Sequence, residues 1–105
     1  MYMKRPDILR LIADAVRRVA PTAQTIVYGS EARGDARPDS DIDLLILLDN
    51  NDVLTPEREL DLRRPLSELE AQTGVAINVL VTLRSLWEKM VSPFTINVNR
   101  EGVVL

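Results

Sequence analysis

The sequence predicts an α/β or α+β domain, in which helices flank a small mixed sheet of three or four strands. Three short runs are rich in β-branched and other apolar residues, as buried strands are: QTIVYG (24–29), DIDLLILLD (41–49) and VAINVLVT (75–82). Stretches with helical spacing of apolar residues precede, separate and follow these runs. The alternation predicts one layered domain and leaves the direction of each strand pair open.

Two helices are predicted in the first third of the chain. Pro6 suits a first helical turn, apolar residues recur at helical spacing after it, and Pro21 ends the segment. After the first strand, a short helix that starts at Ser30 is predicted to stop at Gly34. The second strand follows, and its near-continuous apolar run predicts a central strand covered on both faces.

The remaining helices are also delimited by proline and glycine. Residues 56–73 are helical by composition, with Pro65 predicted to break or kink the helix and Gly74 to end it. The segment LRSLWEKM (83–90) predicts a short helix. Ser92 and Pro93 predict the start of a last helix that runs toward residue 101 and is closed by Gly102, before a short apolar end VVL (103–105).

Composition bounds the class of protein. A chain of 105 residues predicts one domain spanning 1–105, without repeats or linkers. The absence of cysteine and histidine excludes thiolate zinc sites and nucleophilic catalysis by Cys–His or Ser–His pairs, so a metal must be bound by oxygen. The net charge of −3 argues against direct nucleic-acid binding. Neither a signal peptide nor a membrane span is predicted, and a cytoplasmic location is the default expectation.

The most informative motif is Gly29-Ser30, followed after ten residues by Asp41-Ile42-Asp43. At average residue usage these four fixed residues occur in register by chance about once in a thousand chains of this length. Alternate residues of a strand share a face, so the carboxylates of Asp41 and Asp43 are predicted to lie side by side, about 6–7 Å apart along the chain. Such a pair repels itself unless a cation lies between its members, and Mg²⁺ prefers oxygen ligands of this kind.

The residues before the acids suit a phosphate. Gly29 lets the backbone approach an anion closely, and Ser30 at a helix start adds a hydroxyl and free N–H groups. Alone, this pair is more simply interpreted as an ordinary helix N-cap; beside the paired acids the phosphate interpretation is favoured. Arg33 and Arg37 lie between the two halves of the motif and are candidate partners of a triphosphate, although loop arginines are commonly only solvated.

The pattern fits two-metal nucleotidyl transfer, in which carboxylates hold two Mg²⁺ ions. Such sites normally have a third carboxylate, and the third strand is where one is expected. The polar residue within its apolar run is Asn78, which shares a face with residues 76 and 80. An amide oxygen can bind Mg²⁺ but adds no charge and cannot act as a base. Asp49 and Asp52 lie too far along the chain to substitute.

The segment GSEARGDARPDSDIDLLI (29–46) resembles the signature of the DNA polymerase β-like nucleotidyltransferase superfamily, in its minimal single-domain form. The resemblance spans essentially the whole chain and implies the polymerase β-like fold. By this resemblance Gly29 and Ser30 form the phosphate-binding turn, and Asp41 and Asp43 are metal ligands. The third acid of the family aligns with Asn78. Glu31 lies where an arginine is common, which predicts negative charge beside the turn.

The resemblance also implies an activity and a partner. Relatives transfer AMP from Mg·ATP to a hydroxyl, and many pair with a small helical HEPN-domain protein, a toxin-like ribonuclease. Some act as antitoxins by adenylylating a tyrosine of that partner. We expect the same activity here, with Asp41, Asp43 and Asn78 at the catalytic centre. The alternative is a catalytically weak or inactive nucleotide-binding antitoxin that acts by complex formation with a HEPN-domain toxin. The sequence leaves open whether the protein forms a homo-oligomer.

Overall fold

The computed structural model describes residues 5–105, so the first four residues of the N-terminal segment lie outside the described part. The helices and strands of the described part follow each other in the order α1 (Arg5–Val19), β1 (Gln24–Tyr28), α2 (Gly29–Arg33), β2 (Ile42–Leu48), α3 (Pro56–Thr73), β3 (Ile77–Leu83), α4 (Arg84–Lys89), α5 (Pro93–Glu101) and β4 (Val103–Val104). This order confirms the predicted α/β class.

The sheet of the described residues is mixed, with strand order β3-β2-β1-β4. β2 pairs with β1 in antiparallel and with β3 in parallel orientation, and the short β4 pairs antiparallel with β1. In the pairing register, Asp43 of β2 lies between Tyr28 of β1 and Asn78 of β3. The strand pairings therefore bring three residues that are far apart in the sequence into one row.

Both faces of β2 are covered, as its apolar run predicts. On one face, alternate residues of β2 pack with apolar residues of α1 and α3: Ile42, Leu44, Ile46 and Leu48 with Ile8, Ile12, Val16, Leu62, Leu66 and Leu69. On the other face, Leu45 and Leu47 form a smaller cluster with Trp87 of α4 and Val98 of α5. This burial fixes β2 as the rigid centre of the sheet, because every residue from Leu44 to Leu48 is almost fully buried.

Of the two outcomes predicted at Pro65, the break is wrong, because α3 runs as one helix from Pro56 to Thr73, and the kink stays a prediction. Thr55 caps its start by accepting a hydrogen bond from the amide of Arg58, and Gly74 ends it in a left-handed conformation with φ of 72°. The burial of Leu62 and Leu66 on either side of Pro65 holds the two halves against the core. This packing outweighs the cost of about 3 kcal/mol that an internal proline carries.

The C-terminal segment contains a strand that periodicity does not reveal. α5 begins at a capping box, in which the Ser92 and Thr95 side chains each accept from the other's backbone amide. After Gly102, Val103 and Val104 form β4 against β1. Gly102 is required by space, because a Cβ at this position would lie 2.6 Å from the carbonyl oxygen of Val98 and 2.7 Å from Cγ2 of Ile26.

No helix within residues 5–105 is both long enough and apolar enough to cross a membrane.

Candidate active site

Asp41, Asp43 and Asn78 form a hydrogen-bonded cluster at one edge of the sheet. Asp43 lies in β2, whereas Asp41 lies just before the strand and is exposed. Nδ2 of Asn78 donates to Oδ2 of Asp41 at 3.2 Å and to Oδ1 of Asp43 at 3.0 Å. The two carboxylates therefore converge on one point, and the partial positive charge of the amide hydrogens reduces their repulsion.

This arrangement fits a divalent cation. One oxygen of Asp41 and one of Asp43 face the same donor, so both are placed to face the same ion. Rotation of the Asn78 amide by 180° replaces Nδ2 with Oδ1, which completes a set of three oxygens of the kind that Mg²⁺ prefers. Within residues 5–105, no three acidic, histidine or cysteine side chains form a metal-binding group. The cluster thus offers two charges and one neutral ligand.

Gly29 connects the cluster to the predicted phosphate turn. Its φ is 72°, a left-handed conformation that favours glycine, and α2 begins at this residue. A Cβ at position 29 would lie 2.5 Å from Oδ2 of Asp43. The N-cap position belongs to Tyr28, which makes no side-chain capping bond, so the interpretation of Ser30 as an ordinary N-cap is wrong. Ser30 instead lies in the first turn of α2 and is half-buried.

A carboxylate that the motif does not contain lies at the same turn. Oε1 of Glu101, from the end of α5, accepts from the backbone N–H of Gly29 at 3.3 Å and from Nη1 of Arg33 at 3.4 Å. Arg33 also lies 3.5 Å from Oδ2 of Asp35. An anionic group is thus already held by the amide and the guanidinium that the sequence assigns to phosphate.

Arg37 does not join this cluster. Its backbone N–H donates to Oγ of Ser40 at 2.8 Å, which shapes the loop before Asp41. Its exposed guanidinium makes no hydrogen bond or ion pair with any residue from 5 to 105. The predicted role of Arg37 at a nucleotide stays a prediction, whereas Arg33 lies beside Gly29 through their common partner Glu101.

The negative charge expected from Glu31 is neutralised within the fold. Nε of Arg5, at the start of α1, donates to both carboxylate oxygens of Glu31 at 3.1 and 3.2 Å. Asp49 and Asp52 lie at and beyond the opposite end of β2, as the sequence predicts, and Asp52 pairs with Arg58 at 2.8 Å. Local spacing gives no signal for Arg5 or Glu101, because both reach the site only through tertiary packing.

Tyr28 borders the cluster on the β1 side. Burial, and secondarily the charge of Asp43, raises the pKa of the Tyr28 phenol above its usual value. Its ring packs edge-to-face against Phe94 of α5, with centroids 5.6 Å apart, and Phe94 packs in the same way against Trp87 at 6.1 Å. These aromatic contacts pack the first turn of α5 against the end of β1, which precedes Gly29. Glu101 lies at the other end of the same helix.

A mixed sheet with paired aspartates beside a glycine-serine turn defines a class of nucleotide-handling proteins. Residues 9–104 match the sequence profile of the nucleotidyltransferase domain. The chain therefore belongs to the nucleotidyltransferase domain family, and this confirms the resemblance read from residues 29–46.

Solved structures show the same fold. A toxin–antitoxin crystallised with AMP-PNP superposes with a TM-score of 0.63 at 18% identity, over 90% of this chain and 69% of that one. A mutant of the toxin–antitoxin MntA–HpeT gives a TM-score of 0.58 at 14% identity, over 97% and 71%. A candidate nucleotidyltransferase from Sulfolobus solfataricus gives 0.53 at 17%, over 94% and 82%. A search of curated proteins found no match.

Proposed function

We propose that this protein is a Mg²⁺-dependent adenylyltransferase that transfers AMP from ATP to a hydroxyl of a HEPN-domain partner, and so acts as an antitoxin. One observation carries the proposal: the carboxylates of Asp41 and Asp43 converge on one point, directly beside the Gly29 turn. Membership of the nucleotidyltransferase domain family supports the reaction class. The first-named structural neighbour was crystallised with an ATP analogue, which supports the choice of nucleotide.

Each residue has a distinct task in this proposal. Asp41, Asp43 and the amide oxygen of Asn78 hold Mg²⁺, which when bound neutralises phosphate charge and orients the triphosphate. The Gly29 N–H, the Ser30 hydroxyl and Arg33 bind the phosphate oxygens. The acceptor oxygen bonds to the α-phosphorus, the bond from that phosphorus to the β-bridging oxygen breaks, and pyrophosphate leaves. Asn78 cannot accept the acceptor's proton, so this proton passes to water or to a phosphate oxygen.

The two-ion site that the sequence predicts stays a prediction, and we propose that the described residues suffice for one ion. Two carboxylates and one amide supply enough ligands for a single Mg²⁺ that shares its shell with the triphosphate. A second ion would have to share the same two charges, since residues 5–105 bring no third acid to the cluster. The expectation of a two-ion site from the sequence thus holds only if the substrate provides the missing oxygens.

The partner is proposed from the kind of protein that shares this fold. Two of the structural neighbours are toxin–antitoxins. The HEPN identity of the partner rests on the resemblance to minimal nucleotidyltransferases, and a cytoplasmic location stays the default expectation. A net charge of −3 suits a basic protein partner better than a nucleic acid.

A second function is favoured by the hydrogen bonds of Asn78. Its amide links both acids by hydrogen bonds, which reduces their repulsion, and it brings no third charge for catalysis. A nucleotide-binding antitoxin that acts mainly by covering a HEPN-domain toxin fits this observation. Loss of a charged transition-state contact costs several kcal/mol, or orders of magnitude in rate.

The test incubates the protein with α-labelled ATP, Mg²⁺ or Mn²⁺, and the HEPN-domain protein that co-purifies with it. Label on the partner that disappears in Asp43→Asn supports transfer. Asp49→Asn is the matched control, because it removes the same charge at the opposite end of β2. Absence of label, together with tight partner binding by both variants, supports the second function and contradicts the first.

A further inference from the structure

Arg5 uses all three nitrogens of its guanidinium, and each serves a different part of the chain. Nε donates to both carboxylate oxygens of Glu31 in α2, at 3.1 and 3.2 Å. Nη1 donates to the carbonyl oxygen of Pro38 at 3.2 Å, and Nη2 donates to that of Ser40 at 2.8 Å. A single side chain from α1 therefore joins the helix of the glycine-serine turn to the loop that ends at Asp41.

The ion pair between Arg5 and Glu31 is largely shielded from water, whereas the bond from Arg5 to the Pro38 carbonyl is exposed. The side chains of Arg5 and Glu31 are only 13% and 11% exposed. The other ion pairs of α1 are far more open, since Arg10 is 73% and Arg17 64% exposed. Charge-assisted hydrogen bonds of this kind are stronger than neutral ones, and the planar fork of arginine holds its partners in a fixed geometry.

The loop that Arg5 contacts ends directly before Asp41. Asp41 is exposed and lies outside β2, so the ladder of the sheet does not contain it. On its C-terminal side it is fixed by the Ile42 amide, which donates to the carbonyl oxygen of Ala76 at 2.9 Å. On its N-terminal side, the preceding residue Ser40 is held to α1, because its carbonyl oxygen accepts a hydrogen bond from Arg5.

We propose that Arg5 is a positioning residue, which sets Asp41 at its distance from Asp43 and from the phosphate turn. The inference rests on the proposed function for its consequence, since the position of Asp41 matters because it binds a metal. It also gives Glu31 a role beside the turn, because its carboxylate binds and neutralises the Arg5 guanidinium. Groups that orient metal ligands from outside typically change metal affinity by roughly 10- to 100-fold when altered.

The test compares Arg5→Lys with Arg10→Lys. Both variants keep the net charge and lie on α1, but only the first loses the fork that joins three segments, because a lysine ammonium cannot span them. Mn²⁺ affinity is measured by the electron paramagnetic resonance of free Mn²⁺, and amide hydrogen exchange is followed at residues 39–42. We expect Arg5→Lys to weaken Mn²⁺ binding by roughly tenfold and to accelerate exchange in this segment, and Arg10→Lys to change neither.

Glu31→Gln separates positioning from general stability. It removes the ion pair but keeps the bonds from Arg5 to the carbonyls of Pro38 and Ser40. We expect its melting temperature to fall, with Mn²⁺ affinity staying within about threefold of wild type, well below the effect of Arg5→Lys. Losses of Mn²⁺ affinity that follow the losses in melting temperature in both variants, with hydrogen exchange at residues 39–42 unchanged in both, would mean that Arg5 acts through stability alone, and would overturn the proposal.

The proposed function can fail separately. If the wild-type protein binds neither Mn²⁺ nor ATP, the nucleotidyltransferase proposal is overturned, and the positioning role is then decided by hydrogen exchange. Amide exchange at residues 39–42 that is equally slow in wild type and Arg5→Lys would overturn the positioning role in that case also. Faster exchange in Arg5→Lys, with the rest of the chain unchanged, would support it.

Discussion

Gly29 and Asp43 fit together only because residue 29 has no side chain. A Cβ at position 29 would lie 2.5 Å from Oδ2 of Asp43, which is closer than such atoms approach each other in proteins. The glycine of the turn is thus needed for two reasons, its φ of 72° and the place of the carboxylate next to it. The two halves of the sequence motif are in direct steric contact.

Gly29→Ala should therefore harm the site more than its backbone conformation alone explains. Gly34 and Gly74 also have positive φ, at 80° and 72°, but a Cβ there meets nothing within 4 Å. We expect Gly34→Ala and Gly74→Ala to lower the free energy of unfolding by about 1–2 kcal/mol each, the cost of a left-handed alanine. Gly29→Ala should show this loss and, in addition, a loss of Mn²⁺ and AMP-PNP binding by calorimetry. Binding that is equal in all three variants would show that Asp43 does not need its present position.

Asn78→Asp should increase both metal dependence and transfer. A third carboxylate replaces the amide that now donates to Asp41 and Asp43, so repulsion destabilises the metal-free protein. We expect a lower melting temperature in EDTA, a larger increase on addition of Mg²⁺ than in wild type, and a transfer rate at least about tenfold higher. Asn78→Ala is the control, because it removes the amide without adding charge. An unchanged rate in Asn78→Asp would rule out position 78 as the site of the third acid.

Glu101→Gln should raise the affinity for a nucleotide. The Glu101 carboxylate holds the Gly29 amide and Arg33, and its charge repels a phosphate that approaches them. Removal of one partly buried like charge is worth on the order of 1 kcal/mol, or about fivefold in affinity. The measurement is calorimetry with AMP-PNP at low salt. Glu88→Gln is the matched control, since Glu88 is exposed on α4 and changes the net charge equally. The same gain in both variants would indicate a global charge effect and contradict a local one.

Asp52 and Arg58 should make stability depend on pH in the acid range. Hydrogen bonds from Arg58, and secondarily the amide of Val53, hold the pKa of the Asp52 carboxyl below its usual value. Because the pKa is lower in the folded chain than in the unfolded one, this stabilisation is complete above about pH 4 and is lost as the pH falls through the folded-state pKa.

Arg58→Gln measures this contribution. At pH 7 we expect a loss of about 1.5–3 kcal/mol in the free energy of unfolding, the range for hydrogen bonds to charged groups. The difference from wild type should shrink as the pH falls below about 4, but not to zero, because Arg58 also donates to the carbonyl of Val19 at 3.0 Å. Arg17→Gln breaks an exposed pair and should cost less than about 0.5 kcal/mol at any pH. If Arg58→Gln lowers the free energy of unfolding by the same amount at every pH, Arg58 does not lower the pKa of Asp52.

The sequence predicted elements well where a local signal was strong. Pro21, Gly34 and Gly74 end helices as expected, and the apolar run of β2 predicts its central place, because capping geometry and burial are both encoded locally. Local rules failed at Pro65, where core packing on both sides of the proline maintains the helix. They also missed β4, because two residues are too few to show a period and the pairing with β1 depends on a contact across the chain.

For the site, the sequence by itself determined the chemical groups: the glycine-serine turn, the two aspartates and the neutral residue 78. Residue type and spacing are local properties, and they are enough to name the oxygen-bearing side chains of the candidate site. Only the tertiary structure decided that Asn78 bridges both acids, that Glu101 accepts from the Gly29 amide and that Arg5 joins Glu31 to the loop before Asp41. These contacts join residues 26 to 72 positions apart, so they depend on strand register and helix packing, which no local pattern specifies.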